Sequence, residues 1–535
     1  MRLNKTIRSL LAIGIVLLCA FVAVLPFFGK GFLPTHDGEF HFIRFAEFFR
    51  MLQTGYLFPR WAPTINSGYG LPVFEFMYPF ANYISSVLHV FGMEFVEGFK
   101  ISSALGYLIA VLFCFLWLKK RFGLFPAVIG TIASSYVPYW FVELFVRGAI
   151  GEVWAIAFVF MALWSIEIKR PVLFAVTITG IILSHNILTI IFGPFLVVYL
   201  LWRRDWRWIW FMLLGVGLAA WFWIPAIMES RYMVGLNTVN YKDHFASIAE
   251  LLIPSWGTAF SGPGYIANKM SFQIGIGPII WMISAGILVL SRRIKDKEKN
   301  ELLGLFVLTV LILFMTLPQS TIFWEWIPFL KYIQHPWRFL VYLILITAYI
   351  AAVVAGSIKK KWIVVIVTII SISVAFSYTR GAVYEPRNDA YYLTNPNFID
   401  SASSMGNSLS TIWTSWKENR SLSIVTDIFN NPLSVVVQKE RYLDRLYQVN
   451  LEAPLVVRLH ILYFPGWTVF VDGKQATIDF ASNGTLDVAV PAGTHIIHAE
   501  MIETPTRRIA DWLSITSLVI TGGLGILLYR KGKNP

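Results

Sequence analysis

The densest group of chemistry-bearing side chains in this chain is His36-Asp37-Gly38-Glu39-Phe40-His41, followed by Arg44: two acids, two histidines and an arginine within nine residues. A carboxylate beside basic groups is equipment for taking a proton from a nucleophile while cations hold negative charge that develops elsewhere. Read as a helix at about 100° per residue, Asp37, His41 and Arg44 fall within about 40° of one line, with Phe42, Phe45, Ala46 and Phe49 on the other side. The same pattern suits a stripe that merely faces water. Its functional weight comes from the crowding of titratable groups against an apolar face.

Further candidates stand beside apolar runs: Arg147, Glu152, His185, Arg231, His335 and Arg338. Duller readings exist for several. Arg147 and Arg338 suit side chains that snorkel to an interface, and His185, in Ser184-His185-Asn186, suits a hydrogen bond to free backbone at a tight helix turn. Glu152 is harder to dismiss, because an ionised group moved toward a bilayer centre costs roughly 2.5–3.5 kcal/mol or more. It needs a partner, Arg147 being one, or a wet cavity.

The elements that position these residues are membrane spans. Of 535 residues, 56% are hydrophobic and 14% charged, whereas soluble domains carry about 25% charge. A soluble protein of this length needs more polar skin than that. The 44 Lys and Arg exceed the 31 Asp and Glu, but the basic residues come as small clusters between apolar runs rather than as a face, which argues against a nucleic-acid partner. Cys19 and Cys114 lie inside apolar runs and say nothing of redox compartment. The start, with Arg2, Lys5 and Arg8 before an apolar stretch, reads as an uncleaved first span.

Seven basic clusters recur along the chain: Arg2/Lys5/Arg8, Lys119/Lys120/Arg121, Lys169/Arg170, Arg203/Arg204/Arg207, Arg292/Arg293/Lys295/Lys297/Lys299, Lys359/Lys360/Lys361 and Arg530/Lys531/Lys533. Placing all of them on the cytoplasmic side predicts about 12 transmembrane helices. The predicted spans are 10–28, 99–118, 124–142, 150–168, 172–183, 187–202, 208–228, 272–291, 302–317, 339–357, 362–378 and 509–529. The pair around His185 is read as a hairpin, since a single long helix there would put Arg203 and Arg204 outside. The chain therefore reads as a polytopic α-helical protein of the cytoplasmic membrane. Residues 1–378 form a transmembrane domain that includes an external loop, 29–100, with interfacial helices. A β-rich extracytoplasmic domain follows over 379–508, then a final span and basic tail over 509–535. Alternating runs at 455–461 and 467–474, with Pro-Gly and Asp-Gly turns, predict a small β-sandwich. Its aromatic residues are read as core rather than as a sugar-stacking surface.

A first span, an external loop opening on Asp-x-Glu, and interfacial helices ending in a Tyr-Pro segment resemble the GT-C superfamily of membrane glycosyltransferases. More closely, His36-Asp37-Gly38-Glu39-Phe40-His41, Arg147-Gly148-Ala149-Ile150-Gly151-Glu152, Ser184-His185-Asn186 and Gln334-His335-Pro336-Trp337-Arg338-Phe339 resemble the membrane family labelled 6-pyruvoyl-tetrahydropterin synthase related and its YfhO-type relatives. That label misleads, since nothing of the soluble pterin enzyme is present. The resemblance implies a sugar donor on a polyprenyl phosphate, an acceptor on the extracytoplasmic side, and an acid of the first loop, here Asp37 with Glu39 beside it, as base or as part of a metal site.

Residue chemistry converges on similar names. Displacing a lipid phosphate from a sugar carbon needs a carboxylate, Asp37 or Glu39, and cations at headgroup depth. Arg147, His185, Arg231, His335 and Arg338 fill that role, with His36, His41, Arg44 and Glu152 lining the same surface. No cofactor is certain. A hard divalent ion, Mg²⁺ or Mn²⁺, suits Asp37 and Glu39 as two oxygen ligands, but two ligands do not complete a site. The rival functions are a lipid or glycolipid carrier or flippase without covalent chemistry, and a non-catalytic assembly subunit. Neither ionisable residues at midplane nor pseudo-symmetry favours the carrier.

Overall fold

The computed structural model describes residues 4–235, 239–264, 268–291, 294–395, 410–414 and 423–533. Arg2, Arg292 and Arg293 of the basic clusters, and 396–409 and 415–422 of the expected β-rich region, lie outside the described residues.

Each predicted span falls on helix. Five stretches are long and apolar enough to cross a membrane: Lys5–Phe28, Phe95–Phe122, Ile150–Glu167, Pro336–Ser357 and Pro505–Arg530. Two more cross if each bent pair counts as one, Arg207–Leu218 with Ala220–Met228 (70°) and Asp296–Met315 with Pro318–Trp326 (90°). Length and composition therefore give five to seven spans among the described residues, and the remaining predicted spans fall on shorter apolar helices. Leu18, Trp512, Leu518 and Val519 point outward, more than 60% exposed, as lipid-facing residues do. The chain is a multi-pass membrane protein.

In chain order the helices are α1 (Lys5–Val24), α2 (Gly38–Gln53), α3 (Val73–Phe76), α4 (Phe80–Val90), α5 (Phe95–Phe122), α6 (Leu124–Ser135), α7 (Pro138–Phe141), α8 (Ile150–Glu167), α9 (Pro171–Ser184), α10 (Asn186–Trp202), α11 (Arg207–Leu218), α12 (Ala220–Met228), α13 (Ile248–Leu252), α14 (Ile276–Leu290), α15 (Asp296–Met315), α16 (Thr321–Trp326), α17 (Tyr342–Ser357), α18 (Lys361–Phe376) and α19 (Asp389–Thr394). A long C-terminal helix, Pro505–Lys533, closes the chain. Prolines account for several departures from the predicted boundaries. Pro138 ends the expected 124–142 span early, and Pro318 follows the sharp bend after α15. Within α12, Pro225 has no N–H to give the carbonyl of Trp221, and that oxygen accepts from Arg60 Nη1 at 3.2 Å instead.

Nine strands lie between Val425 and Met501: β1 (Val425–Asp427), β2 (Val435–Arg441), β3 (Asp444–Leu451), β4 (Leu455–Leu462), β5 (Trp467–Val471), β6 (Lys474–Ala476), β7 (Ile478–Asp479), β8 (Thr485–Val490) and β9 (Gly493–Met501). They form two antiparallel sheets, ordered β1-β4-β8-β7 and β2-β3-β9-β5-β6. Trp467 and Tyr447 are buried between them. This core is continuous with the loop after α1: Trp61, Leu71, Val73 and Phe74 belong to the same apolar cluster as Tyr447, Val457, Phe464 and Trp467. Trp61 meets Trp467 edge to face at 5.7 Å.

A buried ionic knot reinforces that junction. Arg507 of the C-terminal helix pairs with Glu229 (2.7 Å) and Glu75 (3.4 Å), while Arg60 pairs with Glu75 (3.2 Å) and reaches Glu503 and Asp511. A second strap returns from 385–392. Phe32 and Glu385 bridge backbone to backbone, and the Asp389 carboxylate accepts from the N–H groups of Phe95 and Val96 at 2.7 and 2.9 Å. Asp389 thus caps α5, whose own N-cap residue, Glu94, makes no such bond.

Candidate active site

One backbone clip brings the sequence candidates together. The N–H groups of His36 and Asp37 donate to the carbonyls of Val146 and Arg147, each at 2.9 Å. The clip depends on Gly148, which ends the single π-helical turn Val142–Arg147 with φ +66°. A Cβ there collides with Thr35 Oγ1, the atom that accepts from Gly38 N at the start of α2. Gly148→Ala is accordingly expected to cost about 1–2 kcal/mol of backbone strain and, by displacing Asp37 from Arg147, about 10²-fold in activity. Comparing turnover with the thermal midpoint of the same preparation separates the two effects.

Glu152, fully buried in the first turn of α8, is the hub. Its Oε1 lies 2.7 Å from Arg147 Nη1, 3.2 Å from Arg338 Nε and 3.7 Å from His185 Nε2. The isolated acid flagged in the sequence therefore has three basic partners, two of them distant in the chain. His185 Nδ1 accepts from Leu188 N at 3.1 Å as the N-cap of α10. In the neutral ring this leaves the proton on Nε2, the nitrogen facing Glu152. α8 approaches that cap so closely that a Cβ at Gly151 collides with Tyr78 and the Ser184 carbonyl. Arg338 is held from its other end by Ile333 O (2.7 Å) and Gln334 Oε1 (3.1 Å).

Sequence reasoning missed four contributors. Glu143, buried, takes a second bond from Arg147 Nη1 (2.5 Å) across an i,i+4 spacing. A lone acid inside the aromatic run 139–145 is the signal that marks it. Trp337 lies under the Arg147 guanidinium at 4.8 Å and stacks on His335 at 5.0 Å. Tyr78 packs on His185 at 4.8 Å and is near enough to Asp37 and Arg44 to feel both charges. His244 meets His335 edge to face at 4.5 Å and shares a hydrogen bond with Ser261 Oγ.

Asp37 and His36 are half-buried at the edge of this cluster. The Asp37 carboxylate caps no helix N–H, and it interacts electrostatically with Arg44 and Arg147. His36 bonds Thr258 O at 2.9 Å and stacks on Phe260 at 4.2 Å. Buried His41 lies between Phe45 and Phe99. Burial lowers the pKa of His36, pushes His41 down to about 3 with help from Arg44, and holds His335 well below the imidazole range. At neutral pH these rings are uncharged donors and acceptors, and arginines supply the positive charge.

Two candidates are set apart. Glu39 is turned away, with Oε1 2.6 Å from Arg387 Nη1 and 3.3 Å from Tyr392 Oη, so Asp37 and Glu39 do not present a shared oxygen face. Among the described residues no group of three or more His, Cys, Asp or Glu is arranged to hold a metal ion. Asp37 and Glu39 thus do not fit a metal site. Arg231 lies exposed in the turn Ser230–Tyr232 and bonds Tyr232 Oη at 2.8 Å. Adjacency to a span end does not specify which way a side chain leaves it.

His41 gives a pH prediction. Its folded pKa lies below the unfolded value, so the unfolded chain binds the extra proton, and stability falls as pH drops from about 6.5 toward 3. Between pH 6.5 and 4 the loss is on the order of 3 kcal/mol. His41→Phe, which keeps the stacking, is expected to flatten that acid limb in thermal unfolding followed against pH.

No family model matches the chain. A protein of Lactococcus lactis subsp. cremoris (strain MG1363), described as uncharacterized, is 24% identical over 271 residues, which is 48% of this chain and 41% of that protein. The chain thus covers less than half the length of this relative. Three solved structures are similar in part. The mycobacterial arabinofuranosyltransferase AftD gives a TM-score of 0.45 at 14% identity, over 71% of this chain and 27% of that one. ArnT from Cupriavidus metallidurans, bound to undecaprenyl phosphate, gives 0.35 at 17% identity, over 67% and 62%. The Archaeoglobus fulgidus oligosaccharyltransferase gives 0.35 at 16% identity, over 70% and 53%.

Proposed function

We propose that this chain is an inverting glycosyltransferase of the GT-C superfamily, nearest the 6-pyruvoyl-tetrahydropterin synthase related and YfhO-type membrane proteins. It moves a sugar from a polyprenyl-phosphate donor to an extracytoplasmic acceptor. The observation that carries this reading is the half-buried Asp37 carboxylate, clipped by backbone to Arg147 at the edge of a buried arginine cluster. The acceptor hydroxyl attacks the anomeric carbon, the bond from that carbon to the phosphate oxygen breaks, and the hydroxyl proton passes to Asp37. The phosphate leaves with the bonding electrons, opposite Arg147, Arg338 and Arg44. Glu152 positions two of those guanidiniums, while His36, His41, His185 and His335 act as neutral hydrogen-bonding groups beside the donor. Glu39 steadies the loop through Arg387, and Arg231 has no part in the reaction.

The experiment is transfer of radiolabelled sugar from a polyprenyl-phosphate donor by purified protein in lipid. A product that retains label on acceptor supports the reading, and absence of transfer across donor sugars removes it. A carrier is the second reading, favoured by the buried Glu143–Arg147–Glu152–Arg338 chain at helix breaks. It predicts movement of intact lipid-linked sugar across a vesicle membrane with no new bond. Sidedness is tested by Lys30→Cys in a chain lacking Cys19 and Cys114. Impermeant maleimide is expected to label this exposed position from outside intact cells.

A further inference from the structure

Between α10, α15 and α17 a cleft of about 430 Å³ runs from Tyr342, one turn beyond Arg338, to Arg121, Arg203 and Glu301 at the far ends of their helices, and the proposed reaction does not use it. Its walls are apolar, among them Pro194, Val198, Leu305, Leu308, Leu311 and Leu345. Val198 and Trp202 on one lip and Leu311 on the other are each more than half exposed, so the cleft opens sideways, toward lipid. The lining runs along α15 from Glu301 to Leu311, about 15 Å at 1.5 Å per residue, or half the roughly 30 Å hydrocarbon core. Water has too few polar partners to fill such a space, and leaving it empty forfeits the dispersion contacts of its walls.

Its inner end is polar and ordered. Arg121 reaches Glu167 (2.9 Å), Glu301 (2.5 Å) and Tyr349 Oη (3.0 Å), so its guanidinium is engaged from all sides. Arg203 Nη1 bonds Glu167 (2.5 Å) and Tyr199 Oη (3.0 Å), and about a quarter of its side chain is exposed. Two arginines balance two carboxylates there, and the chain segments on either side of Arg121 and Arg203 carry Lys119, Lys120 and Arg204 against Asp205, so the helix ends at that inner end bear net positive charge.

We propose that this cleft is a binding site for one anionic phospholipid of the leaflet at that end, with an acyl chain along α15 and the phosphate at Arg203. Apolar shape, depth and residual positive charge select both parts of such a molecule. The site is separate from the sugar-transfer reading and stands or falls without it.

The test uses the full chain in nanodiscs of phosphatidylcholine and phosphatidylglycerol doped with a phosphatidylglycerol that carries a photoreactive group in mid-chain. Cross-links are expected in 198–202 and 304–311, reduced roughly fivefold or more by Leu308→Trp, which fills the space. Gly304→Leu is the milder second variant, since a Cβ there touches only the Trp202 ring edge, at 3.6 Å. Arg203→Gln is expected to abolish a roughly fivefold preference for the phosphatidylglycerol probe over its phosphatidylcholine counterpart. Cross-links spread evenly over α1 and the C-terminal helix, insensitive to both filling variants, would overturn the proposal. So would equal labelling by the two headgroups in the unaltered chain, or displacement of the probe by polyprenyl phosphate but not by unlabelled phosphatidylglycerol.

Discussion

Asp37→Asn is expected to lower sugar transfer by about 10²–10⁴-fold while leaving the fold intact. The substitution keeps size and shape and removes the negative charge that faces Arg44 and Arg147, and with it the capacity to accept a proton. The backbone N–H of residue 37 still donates to Arg147 O, and no helix cap is lost because the side chain makes none. Glu39→Gln is expected to act differently, loosening the Arg387 strap with a much smaller effect on turnover. Initial rates on labelled lipid-linked sugar, with the thermal midpoint of each preparation alongside, check both. Full activity in Asp37→Asn removes this residue as base.

The largest expected loss of stability comes from Arg507→Met. Arg507 is 1% exposed and pairs with Glu229 and Glu75, themselves 4% and 1% exposed. Removing one partner of a buried pair leaves an uncompensated charge, which costs about 3–5 kcal/mol. Glu75 retains Arg60, but among the described residues Glu229 keeps only the side-chain bond from Thr504 Oγ1, at 2.8 Å. Adding Glu229→Gln to Arg507→Met is expected to recover much of the loss, because no unpaired ion then remains. Thermal unfolding in lipid, for both single variants and the pair, measures the coupling. A fully additive pair would show that the knot is not acting as a unit.

The apolar runs, the turn at His185 and the β-rich region near the C-terminus were legible because each is local: about twenty apolar residues, a polar triplet between them, or Pro-Gly and Asp-Gly between alternating strands. Single residues in long-range pairs were not. Nothing near Glu39 announces Arg387, 348 residues away, and nothing near Trp61 announces Trp467. Glu152 was legible as a residue in need of partners, but of its three only Arg147, five positions back, was within reach of spacing arguments. Glu143 was overlooked because one acid in an aromatic run looks like an exception. Its pairing with Arg147 shows that it is part of the design of the π-helical turn.

The apolar cluster shared by 61–74 and the strands ties the history of two regions together. A descendant that discarded the strands would leave Trp61, Leu71 and Phe74 bare to water, and one that shortened the loop would uncap Phe464 and Trp467. Insertions, deletions and hydrophobic exchanges in either region should therefore track each other across relatives, and a chimera that takes the strands from one species and the loop from another should aggregate unless both halves of the seam are exchanged.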